Sequence, residues 1–154
     1  MDLANLTALF LSAKGRISRK AFWIGAGLLA LWTFVAFVVL WSIVGPSLIQ
    51  NFFGRLAGFP FVLLTIYFGY NLVAKRFNDR DRPAICAQAV AGIAALKSAL
   101  DLVRITGDLH RQNLLDQLFV LIGTSIALWC FIELGMMRGT VGPNAHGEDP
   151  EAEL

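Results

Sequence analysis

The chain has 154 residues, 56% of them apolar and 16% charged, where an ordinary soluble domain has about 45–50% and 25%. With a mean hydropathy of +0.63 and a formal charge of only +2, this composition argues against a water-soluble globule and against a nucleic-acid binder that works by neutralising phosphates. One domain is expected at this length, an all-α bundle whose solvent is mostly lipid.

The chain opens on Leu3, Leu6, Leu9, Phe10 and Ala13, which line one side of a short helix, followed by Lys14, Arg16, Arg19 and Lys20. That order suits an amphipathic helix in the headgroup plane, its cations over anionic lipid at ~1 kcal/mol each; the competing reading is a frayed terminus. Residues 22–44 carry no charge and make about 34 Å of helix, enough for a hydrocarbon core of ~30 Å. Trp23 and Trp41 mark its two interfaces. The run is too long for a secretory signal core and no A-x-A site follows, so it reads as an uncleaved anchor.

A second apolar segment, residues 56–74, follows the break at Gly45 and Pro46 and holds Pro60 in its expected first turn, where a missing N–H is tolerated. The third, residues 84–100, is Ala-rich and carries Gln88 and Lys97, so alone it inserts only marginally. Its Ala87, Ala91, Ala95 and Ala99 recur every four residues, a stripe that admits a neighbouring backbone, which predicts the interior helix of a bundle. A polar loop over residues 101–117 has apolar spacing at Leu102, Ile105 and Leu109, consistent with a surface helix. The fourth segment, residues 118–137, has Glu133 as its one charge. Cys86 and Cys130 lie in apolar runs without metal or redox spacing and read as small buried hydrophobes.

With four spans and both ends inside, Lys14, Arg16, Arg19, Lys20, Lys75, Arg76, Arg80, Arg82 and Arg138 lie in the cytoplasm, and Arg55, Lys97, Arg104 and Arg111 outside. Laying segment 84–100 on the cytoplasmic face would put all but Arg55 and Arg138 inside. The charge rule mildly favours that alternative; the alanine stripe, useless at an interface, favours four spans. The expectation is thus a four-helix transmembrane domain over residues 1–150 with a short acidic tail at 151–154.

Three stretches in order, GRISRKAFW (15–23), AKRFNDRDRP (74–83) and GTVGPNAHGEDP (139–150), resemble the domain-of-unknown-function 805 family of small bacterial inner-membrane proteins. Gly15, Arg16, Arg19, Phe22 and Trp23 match its first motif, Arg76 and Asp79 its second, and Gly142, Asn144, Gly147, Asp149 and Pro150 its third. Asn78 stands where the family often has His, and His146 where it often has an aromatic, so His-dependent loop chemistry is not expected. The resemblance implies a multi-pass bacterial inner-membrane protein and no particular activity.

On the four-span reading all three motifs meet at the cytoplasmic face. They form a polar cluster of Asn71, Arg76, Asp79, Arg80, Gln88, Glu133, Asn144 and Asp149, with Lys14, Arg16, Arg19 and Lys20 as the lipid- or partner-binding set. Glu133 should face the bundle and pair with Arg76, Arg80 or the tyrosine hydroxyls, because an ionised carboxylate in hydrocarbon is costly. Asp79 and Asp149 should each accept from an arginine and clasp the tail to the middle loop. No catalytic set, cofactor or metal site is expected: His110 and His146 are isolated, and the tail lacks calcium-loop spacing. Two functional readings follow. One is a non-enzymatic protein holding anionic lipid, with another membrane protein or a second copy as partner through Gly54/Gly58 and Gly135/Gly139. The alternative is a small oligomeric proton- or ion-coupled transporter using Glu133.

Overall fold

The computed structural model describes residues 3–46, 51–106 and 112–152, with backbone alone for residues 3–6. Leu109, His110, Arg111 and Glu153 therefore lie outside the described residues, as do the side chains of Leu3 and Leu6. The helices are α1 (Leu3–Leu11), α2 (Arg19–Val44), α3 (Phe52–Asp79), α4 (Ile85–Leu102) and α5 (Leu114–Cys130), the last running on into a π-helical turn, Phe131–Met136. Four of these are long and apolar enough to cross a membrane, and the fold is an all-α, multi-pass membrane bundle. No strand occurs among the described residues.

Local chemistry sets the ends. Ser18 caps α2 by accepting from the Ala21 N–H (3.3 Å), and Gly45 closes it at φ 63°, its N–H returned to Trp41 O at 2.8 Å. Asn113 and Asp116 form a reciprocal capping box that starts α5. Helix α3 begins at Phe52, earlier than its apolar run, so Pro60 sits in the helix interior rather than in the first turn. At 28 residues α3 is about 42 Å long, more than a hydrocarbon core requires. Its last two turns are where the polar chemistry lies.

Helix α3 is the centre: α1, α2 and α4 pack on it, and the π turn touches both α2 and α3. The alanine stripe of α4 faces this one neighbour, buried at Ala87 and exposed by Ala99, so α4 flanks the bundle rather than filling its interior. The buried apolar cluster of Leu9, Ile17, Phe22, Leu72, Ala74, Phe77, Ala87 and Leu134 belongs to one end of the bundle.

Helix α1 does not simply lie on a headgroup plane. Its Leu9 is buried, and one face of α3 caps its C-terminal carbonyls. Tyr67 Oη donates to Leu11 O (3.1 Å), Asn71 Nδ2 to Phe10 O (2.6 Å), Lys75 Nζ to Ala8 O, and Asn78 Nδ2 to Ala13 O and Gly15 O (3.1 Å each). The last carbonyls of a helix have no intrahelical donor and carry partial negative charge, so a donor ladder including a buried ammonium fits them. The same site explains a buried Lys75 that has no carboxylate beside it.

Candidate functional site

At the tightly packed end, the last turns of α3 place Arg76 and Asp79 on one face, three residues apart, with Phe77 filling the core between neighbours. Arg76 is fully buried. Its Nε donates to Leu134 O (2.7 Å), Nη2 to Met137 O (2.6 Å), and Nη1 to Ile17 O (3.2 Å) and to Asp79 Oδ2. The end of the π turn presents Leu134 O, Met137 O follows at its C-cap, and Ile17 O comes from the link between α1 and α2; the last carbonyls of a helix have no intrahelical donor and so are open to a guanidinium. Trp23 of α2 uses another, donating Nε1–H to Gly135 O at 3.1 Å.

Arg16, on the link between α1 and α2, reaches the other Asp79 oxygen (Nε to Oδ1, 3.0 Å), and its side chain is only 1% exposed. It also donates to three tail carbonyls: Gly142 O (2.7 Å), Gly147 O (3.2 Å) and Thr140 O (2.6 Å). Asp79 closes the loop through its own carbonyl, which accepts from Thr140 N–H (2.9 Å) and Oγ1 (3.1 Å). Two guanidiniums thus share one carboxylate, and the peptide oxygens of three separate segments satisfy the remaining N–H groups. Asp149 Oδ1 stands 3.9 Å from Arg16 and adds long-range charge balance.

The tail is shaped to reach this centre. Gly139 lies so close to the Asp79 carboxylate that a methyl group at its Cα would overlap it. Asn144 and Gly147 exchange backbone hydrogen bonds (3.1 and 3.2 Å) across a turn that puts Gly147 at φ 132°, a backbone suited to glycine. Asn144 Nδ2 donates to Asn78 O and Thr140 Oγ1, both at 3.0 Å. Asp149 accepts from the N–H groups of Glu151 (2.9 Å) and Gly142 (3.0 Å), and these donors hold its carboxyl below the usual range.

Glu133, buried in the π turn, accepts from Arg82 Nε (2.9 Å) and Arg80 Nη2 (3.2 Å). Arg80 also donates to Arg138 O and so ties the loop after α3 to the chain leaving the π turn. Farther out, Glu151 lies 3.6 Å from both Arg19 and Arg138. Glu133 and Glu151 each face two guanidiniums; Asp81 and Glu148 are exposed nearby, and the described residues of this end still carry more Lys and Arg than Asp and Glu. Lys14 and Lys20 are exposed there.

The structure brings Arg76, Asp79, Arg80, Glu133, Asn144 and Asp149 of the expected polar cluster together. It leaves out two: Asn71 belongs to the α1 ladder, and Gln88 is exposed on α4 and makes none of these contacts. Arg16, grouped in the sequence with lipid-facing cations, is instead withdrawn into the centre, whereas Lys14, Arg19 and Lys20 remain exposed. Glu133 takes Arg80, as expected, and Arg82; Arg76 and Tyr67 have other acceptors. Gly135 and Gly139, expected at a helix–helix contact between copies, are close approaches within the chain, to Trp23 and Asp79. The carbonyl acceptors escaped the sequence reading because a backbone oxygen carries no residue signature; a paired Arg and Asp one helical turn apart beside a glycine-rich tail was the available signal.

No curated protein and no solved structure matches the chain. Residues 10–148 match DUF805, described as a protein of unknown function, and the chain belongs to that family.

Proposed function

We propose that the chain is a non-enzymatic protein of the bacterial inner membrane, with both ends cytoplasmic, whose basic rim holds anionic headgroups around a self-satisfied polar clasp. The observation that carries this reading is the division of labour among the cations. Arg16 and Arg76 are consumed by Asp79 and by backbone oxygens, and among the described residues no buried side-chain nitrogen or oxygen lacks a partner. A catalytic or transport centre needs groups held ready for something else. Arg82, Arg19 and Arg138, with side chains 49%, 44% and 61% exposed, stand outside the clasp with Lys14 and Lys20, where each cation near an anionic leaflet is worth ~1 kcal/mol. The excess of Lys and Arg on this side supports the cytoplasmic orientation. Glu133 as a coupling carboxylate is the weaker reading, because such a group works near the midplane and must shed its partners, and Glu133 holds two guanidiniums at the bundle's end.

The test uses the full chain in detergent and follows thermal unfolding as phosphatidylglycerol or phosphatidylcholine is added. Phosphatidylglycerol should raise the midpoint more, and the double variant Lys14→Glu, Lys20→Glu should erase the difference. Equal effects of the two lipids on the unaltered chain would count against the headgroup reading. A periplasmic reporter signal from the C-terminus would count against the orientation.

A further inference from the structure

We propose that a cavity at the end of the bundle opposite the clasp is a binding site for one acyl chain of a bilayer phospholipid, with the lipid phosphate at Arg55. The cavity holds about 470 Å³ and is walled by three helices, with Phe37 and Leu40 of α2, Phe59 and Val62 of α3, and Leu102 of α4 among its lining. This lies within the ~300–1,000 Å³ of small-molecule sites and is about three times the ~150 Å³ that holds a benzene ring.

The chemistry of the wall selects the occupant. Its three hydroxyls are turned back on their own helices: Thr33 Oγ1 donates to Leu29 O (2.8 Å), Thr65 Oγ1 to Phe61 O (2.9 Å) and Ser98 Oγ to Ala94 O (2.8 Å). Thr65 Oγ1 also accepts from Trp32 Nε1 at 3.2 Å. A buried water needs two to four polar partners, and the protons of these hydroxyls are already given to backbone oxygens, so water gains little there. An empty space of this size would forfeit the dispersion contacts of every wall atom. The surrounding solvent of spanning helices is hydrocarbon, which fits the wall without a polar demand.

Arg55 gives the site a head end. It stands in the first turn of α3, at the interface level, and is the cation of the lining; its Nη1 donates to Asp101 O at 2.5 Å. Asp101 Oδ1 accepts from Lys97 Nζ (2.5 Å) and Thr106 Oγ1 (2.7 Å), so the acid of the lining has a cation of its own. A guanidinium beside an apolar slot matches a phosphate attached to a chain. The site shares no residue with the clasp, and its test is independent of the headgroup reading.

The full chain, purified in mild detergent, is examined by native mass spectrometry after incubation with dioleoylphosphatidylglycerol or with oleate. One phospholipid per chain should be retained. Ala36→Phe, which fills the slot from α2, should cut retention about tenfold, and Arg55→Gln should weaken phospholipid retention without creating retention of oleate. If Ala36→Phe does not fold, the unaltered chain still decides: phospholipid brominated at mid-chain should quench tryptophan emission in a step that saturates at one lipid per chain, through Trp32 behind Thr65. Quenching that rises without saturation, retention unchanged by Ala36→Phe in a folded protein, or a dimer that seals the slot against lipid overturns the proposal.

Discussion

Asp79 is the residue on which both buried guanidiniums converge, and it joins three parts of the sequence more than sixty residues apart. Removing one partner of a buried ion pair leaves the other charge uncompensated, at about 3–5 kcal/mol. Asp79→Asn should therefore lower the thermal midpoint far more than Asp149→Asn, because Asp149 is 3.9 Å from Arg16 and serves mainly as an acceptor for two tail N–H groups. Similar losses for the two variants would show that the clasp is not centred on Asp79. Gly139→Ala should resemble Asp79→Asn, since its methyl group would meet the same carboxylate. Asp149 carries a pH dependence of its own. Its folded-state pKa is depressed, so its contribution is complete above the ordinary carboxyl value of about 3.9 and is lost as pH falls through the lower folded value. Protease cleavage within residues 139–152 should stay slow from neutral pH down to that region and accelerate below it. Asp149→Asn should remove the step.

At the scale of the element, α1 and the π turn are held by the same means: side chains of one helix donating to carbonyls that another helix leaves over. Asn71→Leu deletes the middle rung of the α1 ladder and leaves Phe10 O without that donor, at about 1–3 kcal/mol. Amide exchange at residues 8–15 should quicken in this variant while residues 72–79 stay protected; uniform loss would mean that α1 is not a separable unit. The same chemistry decides how much was legible beforehand. The four apolar segments, the first helix and the meeting of three motifs follow from hydropathy and order, because transfer from water dominates those features. Glu133 pairing with Arg80 was legible because an isolated intramembrane carboxylate is costly. The π turn was not, since a one-residue widening leaves no periodicity change in so apolar a run, and Arg16 looked like its neighbours Arg19 and Lys20 until tail carbonyls enclosed it. The stripe on α4 named a close contact correctly but could not say on how many sides.

Across the whole molecule, packing is graded from one end to the other. Phe22 opens α2, Leu72 to Phe77 close α3, Ala87 opens α4 and Leu134 lies past α5, so the buried apolar cluster and the ion-pair network occupy the same end. At the other end the helices are joined by scattered polar contacts: Trp32 to Thr65, Arg55 to Asp101 and Lys97 to Asp116. The window of α2 that would cross the membrane is 6% buried, and α5 exposes Leu114, Val120 and Leu121 by 71%, 64% and 65%. In a bilayer, lipid must supply the contacts that neighbouring helices supply at the clasp, since hydrocarbon outside is as apolar as the side chains it meets. The spacing at the other end should therefore depend on the surrounding amphiphile, and the spacing at the clasp should not. Spin labels at Lys20 and Ala145, both exposed beside the clasp, should give one narrow distance distribution in detergent and in bilayer nanodiscs. Labels at Ile43 and Leu114, 77% and 71% exposed at the ends of α2 and α5, should give a broad distribution in detergent that narrows or shifts in the bilayer. Cys86 and Cys130 are replaced by alanine for both pairs. Equal widths at the two ends in detergent would mean that the bundle is held along its whole length, and that the network around Asp79 is one contact among many rather than the point from which the helices are fixed.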